Sequence, residues 1–207
     1  MNGQATPLRD TQPVFEEDQA RADHYALIAR LFYAGPDAQL LGAIAGADEI
    51  AGEGATALAA AWRALGAAAA AMDAEAAREE YDSVFVGTGK AEITPYASHY
   101  LAESMQERVL VRLRAALTEM GLAKNQVAAE YEDHFSGLCE VMRHLIFFGS
   151  DDVAVQKQKS FFLEYIASWY VNFCAAVIAS PNTNFYKPVA GFTKAFLDVE
   201  AGSFEMI

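Results

Sequence analysis

Cysteine is nearly absent. Cys139 and Cys174 are the only two in 207 residues, and they sit at neither a metal-binding nor a redox spacing. Each falls in a strongly apolar helical stretch, so both read as small core residues of a reducing compartment. Basic residues are also scarce: 15 Lys and Arg stand against 28 Asp and Glu, a formal net charge of −13. Phosphate backbones require concentrated Lys and Arg, so nucleic acid is excluded as a partner. An acid excess favours a cationic partner, beside its ordinary role in keeping a small protein soluble. Long membrane-grade hydrophobic runs are missing. The most apolar stretch, residues 55–72, is mostly alanine and carries Arg63, and alanine supplies too little transfer energy to hold a helix in a bilayer. Residues 1–18 are polar and acidic with no apolar h-region, so no secretory signal is expected there and the expected location is the cytoplasm.

The signatures of enzymes built on helical bundles are absent as well. A di-metal carboxylate site needs Glu-x-x-His on two helices, so that carboxylate and imidazole project inward one turn apart. The residues three before the four histidines are Arg21, Tyr96, Tyr131 and Val141, and no pair of histidines is spaced as in zinc hydrolases. Gly87-Thr88-Gly89-Lys90 suggests a phosphate loop only superficially, because the required flanking positions hold Val84 and Ala91. No nucleophile elbow and no cysteine with a paired base is visible. No catalytic residue, metal or cofactor is therefore expected, and the chain reads as a binding protein.

What is present is helical periodicity. Hydrophobic residues make up 53% of the chain, enough for a sizeable core. Residues 20–33 place Tyr25, Ile28 and Phe32 on one face before Gly35-Pro36. Short helices over 36–45 and 56–72 follow, and Asp73 is an N-cap for a helix to about Phe85. A helix over 97–120 ends at Gly121, a C-cap residue. Phe135, Leu138, Met142, Leu145 and Ile146 form the clearest apolar stripe. One long helix is expected over 152–180, stopped by Pro181, and a last one over 184–200 with Pro188 near its first turn. The fold class is all-α: a single-domain bundle of seven to eight helices over 20–207, behind a flexible segment over 1–19.

Two segments are more specific than helix packing requires. The first runs from Tyr81 through Phe85, Gly87, Gly89 and Lys90 to Pro95, Tyr96 and Ser98. The second is Glu130-Tyr131-Glu132-Asp133-His134, leading into Cys139 and Met142. Together they resemble the signature of the TorD-like redox-enzyme maturation chaperones: a Tyr-x-x-Leu-Phe-x-Gly-x-Gly stretch leading to a helix start, then an acid-rich turn ending in Asp-His. The resemblance covers roughly residues 80–200. Val84 stands where leucine is usual, Thr88 where many members carry proline, and Glu132 where proline is common, so the loop shapes need not follow the family's. The form looks most like the members that accompany formate dehydrogenases.

This resemblance implies a chaperone that binds the twin-arginine leader, or the apo form, of a molybdenum-containing oxidoreductase subunit until its cofactor is inserted. Arginine pairs best with carboxylates in bidentate geometry, and Glu130, Glu132 and Asp133 place three within four residues. Tyr81, Phe85 and Tyr96 are candidate walls for an apolar peptide, with Gly87, Gly89, Pro95, Ser98 and His134 completing the expected site. Each has a plainer reading. Asp133 and Ser98 fit helix caps, His134 a structural hydrogen-bonder, Tyr81 and Phe85 core positions, and the glycines unusual backbone angles. A carrier of molybdenum cofactor or guanine nucleotide in the same maturation pathway is the alternative function.

Overall fold

A computed structural model describes residues 16–48, 56–101, 106–122, 132–147 and 149–207. Among these, ten α-helices follow in order: α1 (Glu16–Tyr33), α2 (Ala38–Ala45), α3 (Ala57–Ala71), α4 (Ala74–Tyr81), α5 (Ala97–Leu101), α6 (Gln106–Glu119), α7 (Phe135–Phe147), α8 (Asp152–Phe162), α9 (Tyr170–Ala179) and α10 (Tyr186–Glu205). The described residues hold no strand. The chain is a single-domain all-α protein.

Local chemistry sets four of the ten helix starts. Asp37, Thr56, Asp73 and Asp151 each take extended backbone and turn a side-chain oxygen onto an amide of the first turn. Gly121 ends α6 at φ 72°, while the Leu122 amide reaches back to the Leu117 carbonyl at 2.8 Å. This is the reach-back geometry that satisfies the last carbonyls of a helix. The first helix begins at Glu16, four residues before its expected start.

The count exceeds eight because two expected helices are divided. The helix expected over 97–120 is described as α5 and α6, on either side of residues outside the described set. The helix expected over 152–180 is a single run only as far as α8. Residues Leu163–Ala167 widen into a π-helical turn, and the chain bends by 43° before α9. The cause lies at Trp169, whose indole N–H donates to the Tyr165 carbonyl at 2.6 Å, the oxygen that its own backbone amide would take in an α-helix. No single described helix is long and apolar enough to cross a membrane.

Helix α1 is central. It packs chiefly along α7, while α10 packs on α9 and α3. Tyr25, Ile28, Leu31 and Phe32 are completely buried, and the Phe32 ring lies 5.1–6.0 Å from those of Phe85, Phe135, Phe173 and Tyr186. Cys139 and Cys174 are buried free thiols; burial pushes Cys174 up to about 12 and Cys139 well above its ordinary value, so both stay protonated.

Candidate functional site

The two motif segments meet. Tyr96 and His134 form an isolated antiparallel bridge that joins two helix starts reciprocally. The Ala97 amide, first in α5, donates to the Asp133 carbonyl at 3.0 Å, and the Phe135 amide, first in α7, donates to the Pro95 carbonyl at 2.8 Å. The Asp133 carboxylate then accepts from the Ser98 amide at 2.9 Å. Asp133 therefore caps α5, a helix 35 residues away, rather than the helix it precedes. A buried carboxylate facing unsatisfied amides is well placed there, since both helix N-termini carry partial positive charge.

His134 belongs to the same latch. Its ring meets Tyr96 edge-on at 4.9 Å, and its Nδ1 lies 2.8 Å from the Ser136 hydroxyl and accepts from the Ser136 amide at 3.2 Å. An amide can only donate, so Nδ1 is the acceptor and a neutral ring carries its proton on Nε2. Asp133 and His134 are 1% and 2% exposed. Glu132 points the other way, to α6, where Arg114 grips both carboxylate oxygens at 3.1 Å. Glu130 lies outside the described residues.

Tyr81 and Phe85 lie elsewhere, in the core. The Tyr81 hydroxyl donates to the Phe32 and Tyr33 carbonyls at the end of α1, and Phe85 packs edge-on against Phe32 and Tyr186. After Tyr81 the helix widens into a π turn over Asp82–Val86, closed by the Gly87 amide on the Asp82 carbonyl at 2.7 Å. Gly87 takes φ 65°, and a Cβ there would run into the Lys90 carbonyl oxygen, so glycine is required. Gly89 takes φ 104° in open space. The structure thus brings Pro95, Tyr96, Ser98, Asp133 and His134 together, and keeps Tyr81 and Phe85 apart in the hydrophobic centre.

Three polar assemblies had no signal in the sequence. Glu80 on α4 accepts from the Asn184, Phe185 and Tyr186 amides at 2.8–3.0 Å and so caps α10 from more than 100 residues away. Glu92 holds Ser180 and Asn182, and those hydrogen bonds lower its pKa. Arg21 on α1 grips Glu200 on α10 through two bonds of 2.7 and 2.9 Å, with Tyr25 and Gln158 completing the network. Burial opposes the charge on Arg21, but the Glu200 carboxylate outweighs it and raises the guanidinium pKa.

Helices α6 and α8 leave a groove of about 530 Å³ floored by Ala116, Met120, Phe161 and Tyr165. Among the described residues no three His, Cys, Asp or Glu side chains gather in a way that could hold a metal ion.

A family model described as nitrate reductase delta subunit matches residues 52–175, more than half of the chain. The chain belongs to the nitrate reductase delta subunit family. That family comprises the redox-enzyme maturation chaperones of TorD-like type, in agreement with the resemblance carried by the two motifs. The matched region of this delta-family protein contains the latch, the π turn after α4 and the α6–α8 groove, and stops short of α10. No curated protein matches the chain.

Proposed function

We propose that this delta-family chain is a cytoplasmic chaperone for the catalytic subunit of a molybdenum-containing oxidoreductase. It binds the subunit's twin-arginine leader, its apo form or both, and holds it for cofactor insertion before export or assembly. Membership of the delta family carries this reading. The acid balance of 28 Asp and Glu against 15 Lys and Arg supports it, because the leader presents two guanidinium groups ahead of an apolar segment. Formate dehydrogenase is the client class to try first. In this reading the chain makes and breaks no covalent bonds, and the latch residues Asp133 and His134 act by fixing the surface around them.

The test is retention of a client on the immobilised full-length chain. The apo catalytic subunit is expected to be held and the cofactor-loaded enzyme released. Equal retention of both would make the chain a permanent assembly subunit instead. Retention of neither, across formate dehydrogenase and nitrate reductase subunits, would overturn the chaperone reading.

A further inference from the structure

We infer that the outward face of α9 is where two copies of this chain meet, antiparallel about a two-fold axis beside Ala175. Helix α9 is almost entirely apolar, and no charged residue stands between Glu164 and Lys187. A helix of that kind is ordinarily enclosed on every side. Here only one side is enclosed: Phe173, Cys174 and Val177 are completely buried, whereas Val171 and Ile178 are each 41% exposed. Asn172, Ala175, Ala176 and Ala179 are exposed with them. At helical spacing these six side chains sweep an arc of about 160°, in which the amide of Asn172 is the single polar group.

Charge selects the occupant. The chain carries −13, so two copies repel wherever both present carboxylates. On α9 neither presents one. The acids that reach its ends are held within the chain, Asp198 by the Tyr170 hydroxyl and Lys194, and Glu92 by Ser180 and Asn182. A cationic client finds no free carboxylate on this face, which separates it from the proposed leader recognition. Lipid fits poorly as well, because an interfacial helix sets Lys or Arg and bulky aromatics at the headgroups, and this arc has neither. Helix α9 is also pinned in the fold, with the Phe173 ring 5.1 Å from those of both Phe32 and Phe135. A neutral patch that can face itself is what a two-fold contact needs. With the axis beside Ala175, Val171 of each copy falls next to Ile178 of the other. The small side chains of Ala175, Ala176 and Ala179 let the two helix axes come close. The strip measures about 12 Å by 10 Å, well below the roughly 800 Å² per partner of a standard complex, so the dimer is weak and follows concentration.

The experiment is sedimentation equilibrium of the full chain from about 10 µM to 1 mM, the span over which a small interface fills. It is run at about 0.05 M and 0.5 M salt. The mean mass is expected to rise toward that of two chains with concentration. Association should tighten about threefold or more in high salt, because screening removes the repulsion of two −13 bodies and leaves an apolar contact intact. Ala175→Glu and Ala175→Lys should each weaken association about tenfold or more, since a two-fold contact sets the new charge against its own copy. An equimolar mixture of the two is expected to associate again, as only the mixed pair puts opposite charges across the axis. Ala64→Glu, at an exposed alanine of α3, is the control and should stay within about twofold of wild type. Unchanged helicity and melting temperature confirm folding. A wild-type chain that stays monomeric at about 1 mM in high salt would overturn the inference, as would association that Ala175→Glu leaves intact. Loss in both variants with no recovery in the mixture would overturn the two-fold geometry at Ala175. A monomer that instead floats with phosphatidylglycerol vesicles, and stops doing so as Ala175→Glu, would overturn it in favour of lipid. Each of these outcomes is independent of whether the chain retains a client subunit.

Discussion

The acids of the latch and the acids of the groove face different things. Asp133 and Glu132 sit a residue apart, and each is already engaged, one by the Ser98 amide and the other by Arg114. Glu119 and Asp152 lie on separate helices and flank an apolar floor, with no hydrogen bond or ion pair among the described residues. Glu80 and Glu200 extend the inward group, capping α10 and neutralising Arg21. Acid density along the chain is therefore a poor guide to recognition. What matters is whether a carboxylate has its donors supplied from within, because an engaged carboxylate must break a bond before it can hold a ligand.

The sharpest way to break this comparison is Glu200→Ala. It leaves the Arg21 guanidinium partly buried without its main partner, and unfolding free energy is expected to fall by about 3 kcal/mol in denaturant titration. A loss below about 1 kcal/mol would mean that the inward acids are not structural. Next come the caps that act across the chain. Glu80→Ala and Asp133→Ala should each cost about 1–2 kcal/mol, with Asp133→Asn milder because its amide oxygen still accepts from Ser98. The outward acids should stand in contrast: Glu119→Gln is expected to shift stability by no more than about 0.5 kcal/mol, since its side chain is exposed.

The smallest effect concerns pH. Desolvation among Trp62, Phe192 and Phe196 lowers the pKa of His24 below 6.5, against the opposing pull of Ala20, Asp23 and Glu200. The unfolded chain then takes up a proton before the folded one does, so stability is complete above about pH 6.5 and declines as pH falls below it. Thermal melts of His24→Gln across pH 7 to 5 should show a shallower decline than wild type. An unchanged slope would assign the decline to other groups.

The same division between local and distant chemistry explains what could be read in the sequence. The stripe of Phe135, Leu138, Met142, Leu145 and Ile146 is buried as its spacing requires, because a helix face repeats within a few residues. Asp73 and Gly121 were legible for the same reason, each acting on the turn beside it. The break before α9 was not, because Trp169 looks like one more apolar residue in register until its N–H takes the Tyr165 carbonyl. Asp133 read as a cap of α7 or a peptide ligand, and its amide partner turned out to belong to α5. Glu80 gave no signal at all, since the amides it caps are at residues 184–186. The groove was equally hidden, being a space between two helices and not a pattern within either.

The Arg21–Glu200 pair also sets an order of events during synthesis. Its members are 179 residues apart, so at ribosomal speed roughly 10–40 s pass between the emergence of the arginine and that of its carboxylate. Throughout that interval Tyr25 lacks the Glu200 carboxylate as well, and the face of α1 that later meets α10 is uncovered. The first described helix can pack along α7 in that interval, but its polar contacts to α10 close only when the last helix arrives. For those seconds the nascent chain carries Arg21 without its Glu200 partner and an uncovered strip of α1.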